Sequence, residues 1–381
     1  MTQLAELLNG KSNALLMLAD GTSFEGFSLT PKQSICGEIV FHTAMSGYQE
    51  VLTDPSYAKQ FIVFTYPHIG NVGMNSDDME SDQMYANGII LAHKPTIASN
   101  YRSENTLEEF LEENNKPGIY GIDTRALTAH IREHGSMGAC IQTGNIDPDQ
   151  ALKQAKAFGS LADVNLAETV STSSPYKFSE SIWENKTELK ENAPHIVVLD
   201  FGVKKNILRS LVHAGAKVTV LPYQSSLDDI LQQKPDGILL SNGPGDPHAC
   251  DHAIALTKQL LSKDIPLFGI CLGHQIMALA AGAKTMRMNN GHHGANHPVK
   301  DLKTNLVDVT SQNHNFAVDE DGLPKDLEIT HRSLFDNTIQ GIKHKTKPFI
   351  SMQGHPEACP GPLEHQRLFK EFIEIINENK G

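Results

Sequence analysis

Three short stretches place reactive side chains where a cysteine-dependent acyl transfer needs them. Gly269-Ile270-Cys271-Leu272-Gly273 follows the apolar run 265–268 and precedes the helix-like run 276–281, closed by Gly282, so Cys271 falls at a strand-to-helix junction. Flanking glycines permit a tight turn that pushes one side chain outward, as in a Gly-x-Ser-x-Gly nucleophile elbow. The N–H groups of the helix that follows favour a thiolate and can hold an oxyanion. Gln353-Gly354-His355-Pro356-Glu357 comes after the β-like run 348–352. In an extended segment residues two apart point the same way, so Glu357 can orient His355. His355 would take the proton of Cys271 and later donate it to a leaving amine, while Glu357 fixes the imidazole tautomer. The third stretch, Ser241-Asn242-Gly243-Pro244-Gly245-Asp246-Pro247, also ends a strand-like run. Each alone has a plainer reading, as a buried cysteine, a surface turn or a loop; together their spacing describes a Cys-His-Glu acyl-transfer site.

The elements that must position these groups show in the hydrophobic pattern. From residue 195 onward, strand-like runs at 196–199, 218–221, 237–240 and 265–268 alternate with helix faces. Those faces are Ile207, Leu208, Leu211 and Val212, then Leu227, Ile230 and Leu231, then 254–261. Successive β-α units predict an α/β fold for 195–381, a doubly wound, mostly parallel sheet covered on both faces, with ligands beyond the carboxyl ends of the strands.

The preceding part reads differently. A polar start with a short helix leads into a hairpin, 15–18 and 24–27 about Asp20-Gly21, and further β-rich runs follow at 37–43 and 61–65. Between these runs, 47–57 is polar with loop signals at its end. The tight loop 69–73 lacks the Lys-Ser/Thr ending of a phosphate-binding loop. Helix faces appear at Leu107, Phe110 and Leu111, and at Leu127 and Ile131 between Asp123 and Gly135. Residues 1–160 therefore form a mixed α+β domain, and the polar stretch 161–194, holding the single tryptophan Trp183, reads as a linker that packs at intervals.

A chain of 381 residues is long enough for two such cores, and its formal charge of -13 argues against nucleic acid or an anionic membrane as partner. Five widely spaced cysteines without a Cys-x-x-Cys suggest neither a disulfide framework nor a zinc site, and fit a reduced, cytoplasmic home. The histidines His292, His293 and His297 have no Cys, Asp or Glu beside them, so they read as a structural loop and not a metal site.

The elbow, the 241–247 loop and Gly354-His355-Pro356-Glu357 resemble the signature motifs of the triad (class I) glutamine amidotransferases. Within that family the chain is most similar to the small, glutamine-hydrolysing subunits of carbamoyl-phosphate synthetases. The features that favour this branch are the 47–57 segment with its Thr53-Asp54-Pro55-Ser56-Tyr57 ending, Tyr66-Pro67-His68-Ile69-Gly70-Asn71-Val72-Gly73, and Gly291-His292-His293-Gly294-Ala295-Asn296-His297-Pro298. The resemblance implies that Cys271 forms a γ-glutamyl thioester with glutamine, assisted by His355 and Glu357. It implies an oxyanion hole at the N–H groups of Gly243 and Leu272, and a glutamine pocket from Ser56, Gly243, Gly245, Leu272, Gln275, Asn313, Asn315 and Phe316. Ser56 places that pocket near the domain interface. Asn315 stands where the family commonly has glycine; a left-handed backbone there would suit asparagine with least strain, whereas a contact that relies on a missing side chain would leave the pocket altered.

The resemblance further implies no cofactor in this chain, a docking role for the amino-terminal domain, and a large synthetase subunit as partner in a heterodimer or an assembly of heterodimers. That partner uses MgATP and bicarbonate, with ammonia passed to it, to make carbamoyl phosphate for pyrimidine and arginine synthesis. Two other readings stand beside it. A stand-alone cysteine hydrolase of γ-glutamyl compounds would not need the appended domain, and a catalytically silent subunit would not need all three triad positions.

Overall fold

In the computed structural model, which describes residues 12–182 and 187–380, the chain divides between Leu161 and Ala162 into two units. The short helix expected at the amino terminus and Trp183 lie outside the described residues.

The first unit begins with the expected hairpin, β1 (Ala14–Leu18) and β2 (Ser23–Ser28), turning where Gly21 takes a φ of +96°. There follow β3 (Ser34–His42), α1 (Tyr48–Thr53), β4 (Gln60–Phe64), β5 (Gly88–Ile90), α2 (Leu107–Glu113), β6 (Gly118–Tyr120), α3 (Thr124–His134), β7 (Met137–Thr143) and α4 (Pro148–Phe158). The strands close a barrel in the order β1-β2-β6-β5-β4-β3-β7, parallel from β3 through β4 and β5 to β6 and antiparallel elsewhere. Closure leaves no open edge. Alternation along β1 shows how it is built: Leu16 and Leu18 join Ile39, Phe61, Val63, Ile90, Ile119 and Ile141 in one buried cluster, while Leu15 and Met17 pack on Ala151 and Ala155 of α4. A strand covered on both faces reads as an unbroken apolar run.

Residues 47–57, expected as a polar segment ending in a loop, instead form the buried helix α1 and a 3-10 turn at Pro55–Tyr57. Tyr48, Val51 and Leu52 sink into the apolar cluster. Gln49 is buried too; its side-chain oxygen accepts the Asn75 N–H at 2.9 Å and its amide donates to the Asn75 carbonyl. Polarity here is satisfied internally and does not mean solvent.

The second unit contains α5 (Ala167–Val170), β8 (Tyr176–Phe178), β9 (His195–Asp200), α6 (Lys205–His213), β10 (Lys217–Pro222), α7 (Leu227–Gln232), β11 (Gly237–Leu240) and α8 (Asp251–Leu260). It continues with β12 (Leu267–Ile270), α9 (Leu272–Ala280), β13 (Lys284–Asp301), β14 (Val307–Asp319), β15 (Leu327–Ser333), β16 (Ile339–His344), β17 (Phe349–Met352) and α10 (Arg367–Lys380). Its sheet runs β14-β13-β15-β16-β17-β12-β11-β9-β10-β8. The strands are parallel only from β10 through β9, β11 and β12 to β17; every other pairing is antiparallel. The expected mostly parallel sheet is therefore a mixed one. Helices separate β9, β10, β11 and β12, which allows parallel crossovers, whereas β13 to β16 succeed one another without helices and reverse direction. The polar stretch before residue 195 supplies α5 and the edge strand β8, paired to β10.

Alternation divides the central strands between two cores. Val197, Leu199, Ile238 and Leu240 meet Ile230, Leu256, Leu260, Ile276 and Met277 on one face. Ile196, Val198, Leu239, Phe268 and Ile270 meet Ile207, Leu211, Phe369, Phe372 and Ile376 on the other. Helices α7, α8 and α9 thus cover one side, and α6 and α10 the other. Phe372 stacks obliquely on Phe268, ring centroids 5.4 Å apart, and ties α10 to the strand that leads into Cys271. Phe372→Ala is expected to cost about 3–5 kcal/mol in urea unfolding; a loss below about 1 kcal/mol would show that α10 contributes little to this face.

Candidate active site

Cys271 links β12 directly to α9 and carries a φ of +53° and ψ of -105°. A non-glycine residue held there costs on the order of 1–3 kcal/mol and persists only where its surroundings fix it. Here the Cys271 N–H donates to the Met352 carbonyl at 2.9 Å, and the Gly273 N–H to the Ser241 carbonyl at 3.0 Å. The flanking glycines serve the tight turn by avoiding collisions, not by adopting a left-handed backbone. Neither Gly269 nor Gly273 has a positive φ, so the turn's strain falls on the cysteine itself. A Cβ on Gly273 would collide with the Leu240 carbonyl, and one on Gly269 would lie 2.7 Å from the Gly273 oxygen and against the Met277 sulfur. The glycines let α9 sit close against β11 and β12. Gly243 does the same for its loop, where a Cβ would strike the Phe201 carbonyl and come within 3.0 Å of the Leu272 side chain.

His355 and Glu357 meet across a turn and not along an extended strand. His355 donates its N–H to the Ser311 carbonyl at 2.9 Å, and its own carbonyl accepts from Ala358 at 3.1 Å. The turn brings His355 Nδ1 to 2.6 Å from Glu357 Oε1, both side chains being buried. Lys204, just before α6, completes the array. Its Nζ lies 3.1 Å from Glu357 Oε1 and donates to the carbonyls of Ala358 (2.6 Å) and Cys359 (2.8 Å). Asn206 donates to the Glu357 carbonyl. Sequence reasoning missed both residues; the one available signal was their place just after β9, at the carboxyl end of a central strand.

These charges shift one another. Burial opposes a charge on His355, but the Glu357 carboxylate and then the nearby Cys271 sulfur raise its pKa to about 10. Burial likewise opposes ionisation of Glu357, yet the Lys204 ammonium and then His355 bring its pKa down to about 2. A histidine raised from about 6.5 stabilises the fold fully below that pH and loses its contribution as pH climbs through 10. The depressed carboxylate contributes above about 4.3 and loses its contribution as pH falls toward 2.

The remaining expected site residues fall in several places. The Cys271 thiol donates to the Asn313 carbonyl at 3.4 Å. Gln275 donates to the Phe316 carbonyl at 2.8 Å and the Gln353 side chain at 3.1 Å. His293 lies between the side-chain oxygens of Asn313 (2.9 Å) and Asn315 (3.0 Å), and burial pushes its pKa down to about 4. Asn315 belongs to β14 and is not left-handed, which corrects the reason offered for it. Its side chain instead occupies the space opposite Gly291, where a Cβ would collide with it. Gly245, with a φ of +97°, packs against Val164 and Leu166. Ser56 belongs to the first unit, in the turn capped by Asp54. His292 pairs with Asp336 at 2.8 Å, a carboxylate distant in sequence. Among the described residues no group of three or more His, Cys, Asp or Glu is arranged to hold a metal.

Residues 197–375 match the class-I glutamine amidotransferase family, and residues 16–141 the carbamoyl-phosphate synthase small chain, CPSase domain. The chain is 52% identical over 373 residues to the carbamoyl phosphate synthase small chain of Salmonella typhimurium, covering 96% of this chain and 98% of that one. It belongs to the carbamoyl-phosphate synthase small-chain family. The small chain of Pectobacterium atrosepticum is also 52% identical, over 371 residues, 96% of this chain and 97% of that one. A solved structure from Thermotoga maritima, described as a glutamine amidotransferase, is similar over 49% of this chain and 98% of its own, with 16% identity and a TM-score of 0.37. In this small chain the amidotransferase match contains Lys204, Cys271, His355 and Glu357, and the CPSase match contains Ser56. No helix among its described residues is long and apolar enough to cross a membrane.

The charge array yields a direct spectroscopic expectation. Replacing Glu357 by Gln removes the largest contribution raising His355, so its imidazole should titrate well below the wild-type value of about 10 in histidine-ring NMR. An unchanged titration would mean that Glu357 does not govern the charge of His355.

Proposed function

We propose that this chain is the glutamine-hydrolysing subunit of a glutamine-dependent carbamoyl-phosphate synthetase. The observation that carries the reading is the pairing of a strained, buried Cys271 with a His355–Glu357 contact of 2.6 Å in the same unit. The thiolate of Cys271 attacks the side-chain amide carbon of glutamine. N–H groups of Gly243 and Leu272 hold the developing oxyanion, interactions typically worth about 3–4 kcal/mol each. His355, oriented by Glu357, protonates the departing nitrogen; the C–N bond breaks, leaving a γ-glutamyl thioester and ammonia. The same imidazole then activates water, which releases glutamate and restores the thiol.

Ser56, Gly243, Gly245, Leu272, Gln275, Asn313, Asn315 and Phe316 form the glutamine pocket in this reading. Lys204 stays behind Glu357, keeping the carboxylate ionised without touching substrate. Ammonia released into water at neutral pH would be mostly protonated and unreactive, so it passes directly to a large synthetase subunit. That subunit supplies the MgATP and bicarbonate chemistry that makes carbamoyl phosphate for pyrimidine and arginine synthesis, and this chain needs no cofactor of its own. The two chains form a heterodimer or an assembly of heterodimers in the cytoplasm, docked through the first unit.

Glutamate release from glutamine, measured for the chain alone and with the large subunit, bicarbonate and MgATP, tests this reading. Strong activation by the partner, falling to background in Cys271→Ser, is the expected result. Full activity without the partner would indicate a stand-alone hydrolase, and no Cys271-dependent activity in either condition a silent subunit.

A further inference from the structure

Cys36 on β3 and Cys140 on β7 stand directly opposite one another across an antiparallel pair, and both are free thiols. The phase of the backbone hydrogen bonds settles what kind of pair they form. The Thr143 N–H donates to the Gln33 carbonyl at 2.9 Å, so on this ladder the bonded pairs are Gln33–Thr143 and every second pair after it, Ile35–Ile141 and Gly37–Ala139. On the other side of β7, the Ala19 N–H donates to the Gly138 carbonyl at 2.9 Å. Gly138, and by alternation Cys140, therefore turn their backbone groups toward β1. Cys36 and Cys140 form a non-hydrogen-bonded pair, the kind whose Cα atoms approach to about 4.5 Å and whose side chains lie closest. Disulfides bridge Cα separations of about 4.4–6.8 Å, so this pair lies at the short end of the range.

The surroundings give the two sulfurs different exposure. Cys140 is buried beneath α4, where its thiol donates to Gln154 Oε1 at 3.3 Å with Ser34 Oγ 3.9 Å away. Cys36 is half-buried, so solvent approaches from its side. Each thiol shifts the other: Cys36 lowers the pKa of Cys140, and Cys140 with burial raises that of Cys36.

We propose that Cys36 and Cys140 are a redox-active dithiol that exchanges with a low-molecular-weight disulfide and closes to a cross-strand bridge. One thiolate of the pair attacks a sulfur of the external disulfide, breaking its S–S bond and releasing one small thiol. The second protein thiol loses its proton to water and attacks the mixed disulfide, forming the Cys36–Cys140 bond and expelling the second small thiol. Two electrons pass from the protein to the external disulfide. Each step is a thiol–disulfide exchange and runs in both directions, so the modification reverses with excess small thiol.

The test is incubation of the full-length protein with oxidised glutathione, alkylation of remaining thiols, and peptide mass spectrometry. The expected product is the Cys36 and Cys140 peptides joined, two hydrogens lighter than their sum, and released again by excess reduced glutathione. Cys36→Ala and, separately, Cys140→Ala should each abolish the joined species, with circular dichroism confirming that the variants are folded. The wild-type result stands alone should either variant fail to fold. Glutathione remaining attached to Cys36 without closure, or no reaction at either sulfur in folded protein, would overturn the proposal.

Discussion

An ammonium, a carboxylate and an imidazole lie in sequence inside the second unit, and the arrangement around Cys271 depends on their being buried together. Removing any ion from water costs several kcal/mol, so each is tolerable only beside an opposite charge. Lys204 and Glu357 are 3.1 Å apart, and Glu357 and His355 2.6 Å. Extra hydrogen bonds from Lys204 to the Ala358 and Cys359 carbonyls, and from Asn206 to the Glu357 carbonyl, fix the loop that supplies the carboxylate. The array draws on segments after β9 and β17, while Cys271 follows β12. The parallel middle of the sheet is what gathers the ends of these distant segments.

Strain at Cys271 fits the same logic. The cysteine holds an unfavourable backbone conformation that glycine would have relieved, while the neighbouring glycines lie in ordinary conformations. What keeps the turn in place is packing on both sides. Helix α9 lies close against β11 and β12 because Gly269 and Gly273 carry no side chains, and Ile276 and Met277 anchor it in the core below. The conformational cost, of order 1–3 kcal/mol, is small beside the burial of two apolar faces by helices.

What the sequence made legible was local. The Gly-x-Cys-x-Gly elbow and the His-Pro-Glu turn each fit within a few residues, and the β-α alternation from 195 to 268 follows simple periods. Lys204 was invisible because its partner is more than a hundred positions away. Strands β13 to β16 gave no topology because β13 is polar and largely part-exposed, so no apolar face marks its register. The barrel was hidden for another reason: β5 and β6 are three residues long, too short for alternation to show. Segment 47–57 misled in the opposite direction, since Gln49, Thr53 and Asp54 are buried and hydrogen-bonded within the protein.

Cysteine count fails for a related reason. Five thiols without a Cys-x-x-Cys look uniform in sequence, yet the fold gives them different chemistry. Cys250 is sealed in the core and burial pushes its pKa up to about 12, which makes it inert. Cys271 sits at a helix start with His355 at hand, as an acyl-transfer nucleophile requires. Cys36 and Cys140 become partners only because the barrel closes and sets β3 against β7 in one particular register. A shift of that register by one residue would turn one of the two side chains to the opposite face. Their reactivity as a pair is therefore a property of barrel closure and hydrogen-bond phase, and no count or spacing of cysteines could have disclosed it.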